Sequence, residues 1–183
     1  MKQLHGVLVL DKPKGPSSTQ CLEQIKKRLN QKKIGHAGTL DPLARGVLVV
    51  LLGQGTKLAP FLEAGHKTYW GSLRLGLETD TYDIEGHVLA ERPWEQIQPS
   101  QVKECIQAWT ALTEQQVPPF SAAKHKGKPL YALKRSGQTV PIKTKNITID
   151  QAEPLNVQLP DVSFRVSCSK GTYIRSLAHS LGM

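Results

Sequence analysis

Residues 35–46 read Gly-His-Ala-Gly-Thr-Leu-Asp-Pro-Leu-Ala-Arg-Gly and lead directly into an apolar run at 47–52. We expect this run to form a buried, rigid element, and loops beside such elements commonly carry binding or catalytic groups. Pro42 disfavours the helical region for Asp41 and holds its backbone extended. A carboxylate fixed in this way, near a tyrosine and an arginine from other segments, can act as a nucleophile or a base. The alternative is that Asp41 and Pro42 form an ordinary turn.

The segments before this loop predict a strand, a rigid turn and a helix. An apolar strand is expected over residues 6–10, and two prolines and a glycine within 11–16 end it in a loop of fixed geometry. Ser17 with Gln20 three residues later matches a capping box, which marks the start of a helix. The apolar face of that helix consists of Leu22, Ile25 and Leu29.

The rest of the chain shows further strand and helix patterns. Alternating side chains predict a half-buried strand over 66–77, and residues 86–91 can return as a second strand. A third alternating segment, 162–169, leads into another helix after residue 175. A helix is also predicted from Pro99, and its apolar stripe consists of Val102, Cys105, Ile106, Trp109 and Leu112.

The composition of the 183-residue chain indicates a globular protein with a polyanionic partner. Lys and Arg number 24 against 15 for Asp and Glu, which gives a formal charge of +9. A surplus of this size favours nucleic acid over an acidic membrane surface. The longest apolar run is far shorter than the roughly 20 residues that cross a bilayer, and the amino terminus lacks a secretory signal pattern. We therefore expect a cytoplasmic protein without a membrane partner.

The cysteines and histidines do not predict a metal site. Cys21, Cys105 and Cys168 lie far apart in the sequence, and the six histidines are scattered. No phosphate-binding loop, dinucleotide fingerprint or Ser-His-Asp order is present either. We expect buried, reduced thiols and no bound metal.

From residue 115 to residue 149 the chain carries basic residues without a single carboxylate. Phe120 and Tyr131 are interleaved with them, and this combination suits phosphate contacts together with base stacking on a nucleic acid. A lysine-rich surface insertion with a small core of its own is the alternative. The basic residues are Lys124, Lys126, Lys128, Lys134, Arg135, Lys143 and Lys145.

Five sequence blocks resemble the bacterial tRNA pseudouridine-55 synthases, the TruB type. The central block is 35–48, which contains Asp41, and the other blocks follow in family order over nearly the whole chain. They are 11–18 (DKPKGPSS), 67–69 with 75–76 and 79–83, 119–124 with 127, 130–131 and 137, and 168–177 (CSKGTYIRSL).

The resemblance implies a fold, a reaction and a partner. The fold is α/β (α+β), with a mixed, mainly antiparallel sheet flanked by helices and an RNA-binding insertion at about 115–149. The reaction isomerises one uridine in the T arm of tRNA, at position 55, to pseudouridine. It needs neither a metal nor an organic cofactor, and we expect the protein to be a monomer.

The resemblance also implies roles for individual residues. Asp41 matches the catalytic aspartate, and Arg175 matches the arginine that pairs with its carboxylate. Tyr69 matches the tyrosine that stacks on the target base, and His36 the residue that fills the space left by the flipped base. Tyr173 and Lys57 match further pocket positions. The residues expected to bind RNA are Lys124, Lys126, Lys128, Tyr131 and Arg135.

The family continues past the position of Met183. We therefore expect residues 1–183 to form a catalytic domain that is incomplete at its C-terminus and lacks the family's C-terminal RNA-binding barrel. One alternative is a non-catalytic RNA-binding or tRNA-folding protein that has lost activity through truncation. A general basic DNA-binding domain is a third hypothesis.

Overall fold

The computed structural model describes residues 3–182, and the chain divides into two compact units, Met1–Gly65 and His66–Met183. Every strand pairing in the described residues is antiparallel. The strands within residues 3–182 belong to five small sheets, and helices accompany them. The predicted α+β class with mainly antiparallel strands is therefore confirmed. In this part of the chain, no helix has both the length and the apolar character needed to span a bilayer.

The first unit packs one helix against a three-stranded sheet. Its first elements are β1 (Gly6–Lys12), α1 (Ser18–Arg28), β2 (Ile34–His36) and β3 (Gly46–Leu52), and β3 lies between the other two strands. The helix begins as predicted, because Ser17 and Gln20 form a complete capping box. The core of this unit is formed by Cys21, Leu48, Val50 and Leu52, with Leu10, Leu22, Ile25, Leu29, Ile34 and Leu40 packed against them.

The apolar run 47–52 forms β3 but is not buried throughout. Leu48, Val50 and Leu52 belong to the core with α1, whereas Val47 is 68% exposed. The prediction of a buried run was therefore wrong for Val47. Successive side chains of a strand point to opposite faces, and only one face of β3 packs on α1.

A tight segment follows β3 and carries Lys57. The chain forms a 3₁₀ helix, Gly53–Leu58, and then α2 (Ala59–Glu63). A Cβ atom at Gly55 would lie 2.2 Å from the carbonyl oxygen of Gly6, so the segment approaches β1 more closely than a side chain allows. Lys57 is exposed on this segment.

The second unit contains nine strands and three α-helices within the described residues. The strands are β4 (Lys67–Arg74), β5 (Leu77–Thr79), β6 (Val88–Glu91), β7 (Glu114–Gln116), β8 (Lys124–His125), β9 (Lys128–Pro129), β10 (Thr144–Asn146), β11 (Ile149–Gln158) and β12 (Asp161–Cys168). The helices are α3 (Pro99–Gln107), which a 3₁₀ helix Ala108–Ala111 extends, α4 (Leu130–Arg135) and α5 (Ile174–Leu181).

The core of the second unit lies against the sheet β11-β12-β4. Phe164 of β12 lies opposite Gly71 of β4. A Cβ atom at Gly71 would lie 2.6 Å from the Phe164 ring, so the glycine makes room for that ring. The Phe164 ring also meets Trp109 in a T-shaped contact, with centroids 5.1 Å apart. This packing fixes β12, and α5 follows β12 directly.

Several predictions for this unit are confirmed and two are wrong. The strand at 162–169, the helix from Pro99 and the returning strand within 86–91 are all present. The strand predicted over 66–77 ends at Arg74, because the chain turns at Gly76 (φ +84°), and Leu77 is 45% exposed. Cys105 is exposed, so the prediction of three buried thiols was wrong for this residue. The buried side chains of α3 are instead those of Val102 and Ile106.

Candidate active site

Asp41 lies half-buried in the loop between β2 and β3. Ser18, the buried first residue of α1, holds the amino-terminal side of this loop. Its hydroxyl donates to the Leu40 carbonyl oxygen at 2.9 Å and accepts from the Leu40 N–H at 3.0 Å. On the other side, the Ala44 N–H donates to the Asp41 carbonyl oxygen at 3.1 Å. The backbone that carries the carboxylate is therefore fixed on both sides.

Lys12 supports the same loop and was missed in the sequence analysis. Its side chain is fully buried at the end of β1. The ammonium group donates to the carbonyl oxygens of Pro13 (3.0 Å), Pro42 (3.3 Å) and Ala44 (2.7 Å). A buried charge is tolerated where hydrogen bonds replace its hydration. Lys12 therefore joins β1 to the loop of Asp41.

Replacing Lys12 with methionine is expected to lower the free energy of unfolding by about 2–3 kcal/mol, because three carbonyl groups lose the donor that the fully buried Lys12 supplies. Urea denaturation followed by circular dichroism measures this change. Lys14→Met alters an exposed lysine of the same segment and should change stability by less than about 0.5 kcal/mol. Equal effects of the two substitutions would contradict the role assigned to Lys12.

His36 is the last residue of β2 and pairs with Val50 across the ladder. The residue is half-buried, and its Nδ1 atom is buried without a hydrogen-bond partner among residues 3–182. Leaving such an atom unpaired costs free energy, so an unsatisfied buried group in a folded protein needs an explanation.

Arg175, near the start of α5, is held by three groups of the second unit. Its Nη1 donates to the Thr81 carbonyl oxygen at 2.8 Å and lies 3.6 Å from a carboxylate oxygen of Asp83. Its Nη2 donates to the Phe120 carbonyl oxygen at 3.2 Å. The side chains of Arg175 and Asp83 are only 12% and 13% exposed. The forked guanidinium therefore has a fixed orientation in a largely dry environment.

Tyr173 precedes α5, and a glutamine from the start of the basic segment holds its backbone. The Tyr173 N–H donates to Oε1 of Gln115 at 2.7 Å, and Nε2 of Gln115 donates to the Tyr173 carbonyl oxygen at 2.9 Å. Gln115 is buried. It was not identified from the sequence, where nothing distinguishes it from its neighbour Gln116. The bidentate contact ties β7 to the segment that carries Tyr173 and Arg175.

Tyr69 lies half-buried on β4 and packs against the core of the second unit. Its neighbour Trp70 is exposed on the opposite face of the strand, with the guanidinium of Arg165 5.8 Å from its ring centroid. The alternation predicted for this strand is therefore correct at these two positions.

The residues predicted to bind RNA lie on one small substructure of the second unit. β8 and β9 form a hairpin, and α4 follows it directly. Leu130 and Leu133 bury one face of α4. The Arg135 guanidinium lies 5.7 Å from the Tyr131 ring centroid on the outer face. All five predicted residues are exposed: Lys124, Lys126, Lys128, Tyr131 and Arg135.

The predicted catalytic and pocket residues divide between the two units. The first unit contains His36, Asp41 and Lys57, and the second contains Tyr69, Tyr173 and Arg175. The predicted ion pair of Asp41 with Arg175 joins residues of different units and stays a prediction. Among residues 3–182, no group of three or more His, Cys, Asp or Glu side chains is arranged to hold a metal ion. That the chemistry needs no cofactor also stays a prediction.

Comparison with known families supports the resemblance seen in the sequence. Residues 26–174 match the model of the family described as TruB family pseudouridylate synthase (N terminal domain). The chain belongs to this family. The matched residues include the Asp41 loop, the basic segment 115–149 and β12.

Curated relatives of this TruB-family chain are named tRNA pseudouridine synthase B. The relative from Oleidesulfovibrio alaskensis is 60% identical over 183 residues, which are 100% of this chain and 59% of the relative. The relative from Thermotoga maritima is 42% identical over 178 residues, which are 97% of this chain and 57% of the relative. The chain thus spans less than two thirds of the length of these relatives.

Solved structures with the same fold come from H/ACA ribonucleoproteins. One is described as an H/ACA RNP bound to a substrate RNA containing 2′-deoxyuridine; it has a TM-score of 0.64 and 28% identity. The match covers 97% of this chain and 42% of that chain. A second, the archaeal box H/ACA Nop10–Cbf5 complex, has a TM-score of 0.64 and 27% identity, with the same coverage of both chains.

Proposed function

We propose that this TruB-family chain carries the catalytic domain that converts a uridine in the T arm of tRNA, at position 55, to pseudouridine. The observation that carries the proposal is the 60% identity over 183 residues to a protein named tRNA pseudouridine synthase B. Residues 115–149 serve as its RNA-binding insertion. With tRNA as the partner, the protein acts in the cytoplasm, as a monomer and without a metal or cofactor.

The reaction is an isomerisation, so no atom is gained or lost overall. The bond between C1′ of the ribose and N1 of the base breaks, the base turns, and a new bond joins C1′ to C5. The proton on C5 leaves to solvent, and N1 takes up a proton from solvent. Asp41 supplies the carboxylate that attacks or removes a proton.

Arg175 and Tyr69 complete the proposed catalytic group. A guanidinium beside the Asp41 carboxylate keeps it charged, because an opposite charge offsets the cost of burying it. The fixed orientation of Arg175 on two carbonyl oxygens and Asp83 supports this role. Tyr69 stacks on the target base and takes part in proton transfer. Tyr173 and Lys57 line the pocket.

The target uridine is stacked inside the T arm and must be flipped out, which costs a few kcal/mol. His36 enters the space that the base leaves, and its ring partly restores the lost stacking. The position of His36 supports this role, because the half-buried residue ends β2 where the loop of Asp41 begins. The hairpin β8–β9 and α4 contact the phosphates, and the exposed Tyr131 offers a stacking surface.

The test is the release of tritium from T-arm RNA that carries tritium at C5 of its uridines. We expect the 183-residue chain to release one equivalent of tritium per RNA molecule. The reason is that C5 of the target uridine loses its proton when it becomes the glycosidic carbon. RNA binding measured in parallel should weaken steeply with salt, since lysine–phosphate contacts release counterions. Binding without release would favour a non-catalytic RNA-binding or tRNA-folding protein. Equal affinity for duplex DNA and tRNA would favour a general DNA-binding domain.

A further inference from the structure

The connection between β5 and β6, residues 80–87, contacts two side chains of α5. The first is the guanidinium of Arg175, which contacts Thr81 and Asp83 as described above. The second is the imidazole of His179. The ring of Tyr82, which lies between Thr81 and Asp83 in sequence, stacks on it, with centroids 3.7 Å apart and an angle of 8° between the planes. Three consecutive residues of the connection therefore contact the same helix.

The geometry of α5 makes the two contacts act together. Arg175 and His179 are four residues apart, so they lie on one face of the helix, one turn from each other. Tyr82 has a φ of +64°, a left-handed conformation that is rare for a bulky residue. Such strain persists where the surrounding contacts over-determine the conformation. With this backbone, the Tyr82 ring meets His179 while Thr81 and Asp83 meet Arg175.

The stack is a contact between two neutral rings. Burial raises the pKa of Tyr82 above its ordinary value, and Glu78 adds to that rise as a smaller cause. Burial lowers the pKa of His179, and Glu78 opposes this lowering in part. Both rings are therefore uncharged at neutral pH. Stacked aromatic pairs of this kind contribute to stability beyond the area that they bury.

Other hydrogen bonds of the connection shape it internally. The hydroxyl of Thr81 donates to Oδ1 of Asp83 at 2.7 Å, and the His87 N–H donates to Oδ1 of Asp80 at 2.9 Å. These bonds close the loop on itself, whereas the Arg175 contacts and the ring stack join it to α5. Loss of the stack would remove one of these two links to α5.

We propose that Tyr82 and His179 are positioning residues of the active site, because their stack clamps the connection 80–87 to α5 and thereby orients the Arg175 guanidinium through Thr81 and Asp83. The inference rests on the proposed function, in which Arg175 serves the catalytic carboxylate. The two rings act through Arg175 and do not contact the reacting atoms.

The test compares substitutions that remove a ring with substitutions that keep one. Tyr82→Asn and His179→Ala remove a ring, and asparagine tolerates the left-handed backbone at position 82. Tyr82→Phe and His179→Phe keep a ring that can stack. His87→Ala is the matched control, because His87 ends the same connection and is exposed.

Two measurements test whether the stack holds the connection 80–87 on α5, and neither depends on enzymatic activity. Amide hydrogen exchange of Asp80, Tyr82 and Gly86 reports how often the loop opens, and we expect it to be at least about tenfold faster when a ring is removed. The ¹⁵N side-chain signal of Arg175 should shift in the same variants. Exchange in the β11–β12 ladder should stay unchanged, and the phenylalanine variants and His87→Ala should behave like the wild type.

Tritium release then reports the consequence for chemistry. We expect kcat to fall roughly 10- to 100-fold in the ring-removing variants while KM stays within about twofold, because a misplaced group slows the chemical step more than binding. The phenylalanine variants should recover most of kcat. If the two rings contributed only to stability, ring-removing and ring-keeping variants of equal stability would show equal losses of kcat.

The outcomes separate the clamp from the proposed function. Unchanged loop exchange and an unchanged Arg175 signal in Tyr82→Asn and His179→Ala would overturn the clamp. Faster exchange with unchanged kcat would overturn the positioning role. If the wild-type chain releases no tritium, the proposed function fails, and the exchange and Arg175 measurements still decide the clamp. If His179→Ala does not fold, Tyr82→Asn decides it.

Discussion

Replacing Asp41 with asparagine is expected to abolish tritium release from T-arm RNA and to leave RNA binding intact. Asparagine has nearly the same shape, so the loop that Ser18 and Lys12 hold should keep its conformation. Its amide can neither attack nor accept a proton as a carboxylate does. Removal of such a group costs several orders of magnitude, and we expect a loss of about 10³-fold or more. Single-turnover tritium release and filter binding with the same RNA measure the two properties.

Asp161→Asn is the matched control for that substitution. Asp161 is exposed on β12 and pairs with Arg74 at 3.1 Å. A surface ion pair of this kind contributes about 1 kcal/mol or less to stability, so the variant should isomerise at the wild-type rate. Appreciable turnover by Asp41→Asn, or an equal loss in both variants, would refute the assignment of Asp41.

Elements of the first unit with a local signal could be predicted from the sequence. The capping box at Ser17 and Gln20 marks the start of α1, and its apolar spacing identifies the face that packs on the sheet. The burial of Lys12 could not be predicted in this way. It depends on the carbonyl groups of Pro42 and Ala44, which lie about thirty residues further along the chain and come together only in the folded unit. Local patterns do not contain that information.

The second unit shows the same division between local and long-range information. The alternation at 162–169 predicts β12 correctly, because each buried position follows from the period of a strand. The same reasoning fails at Cys105, since the helical period leaves open which edge residue of the stripe turns away from the core. The resemblance identified Arg175 but not its neighbours Thr81, Asp83 and Phe120. They are 55 to 94 residues distant in sequence, and tertiary contacts alone reveal them.

Arg175→Met is expected to lower the free energy of unfolding by about 3–5 kcal/mol. The substitution leaves the largely buried carboxylate of Asp83 without this guanidinium, and removing one partner of a largely buried ion pair is strongly destabilising. It also removes a donor from the carbonyl oxygens of Thr81 and Phe120. Urea denaturation measures the loss. Arg92→Met is the control, because Arg92 is 63% exposed and lies 3.6 Å from Glu78 in a surface pair, which contributes about 1 kcal/mol or less.

Adding Asp83→Asn to Arg175→Met distinguishes a charge effect from a packing effect. If the unpaired charge of the Asp83 carboxylate causes the loss of stability, the double variant should be more stable than Arg175→Met alone. The asparagine amide is neutral and can still form hydrogen bonds. If lost packing causes it, the second substitution should lower stability further. A partial recovery would show that Arg175 and Asp83 depend on each other. Removal of Asp83 would then disturb the segment that carries the proposed catalytic guanidinium.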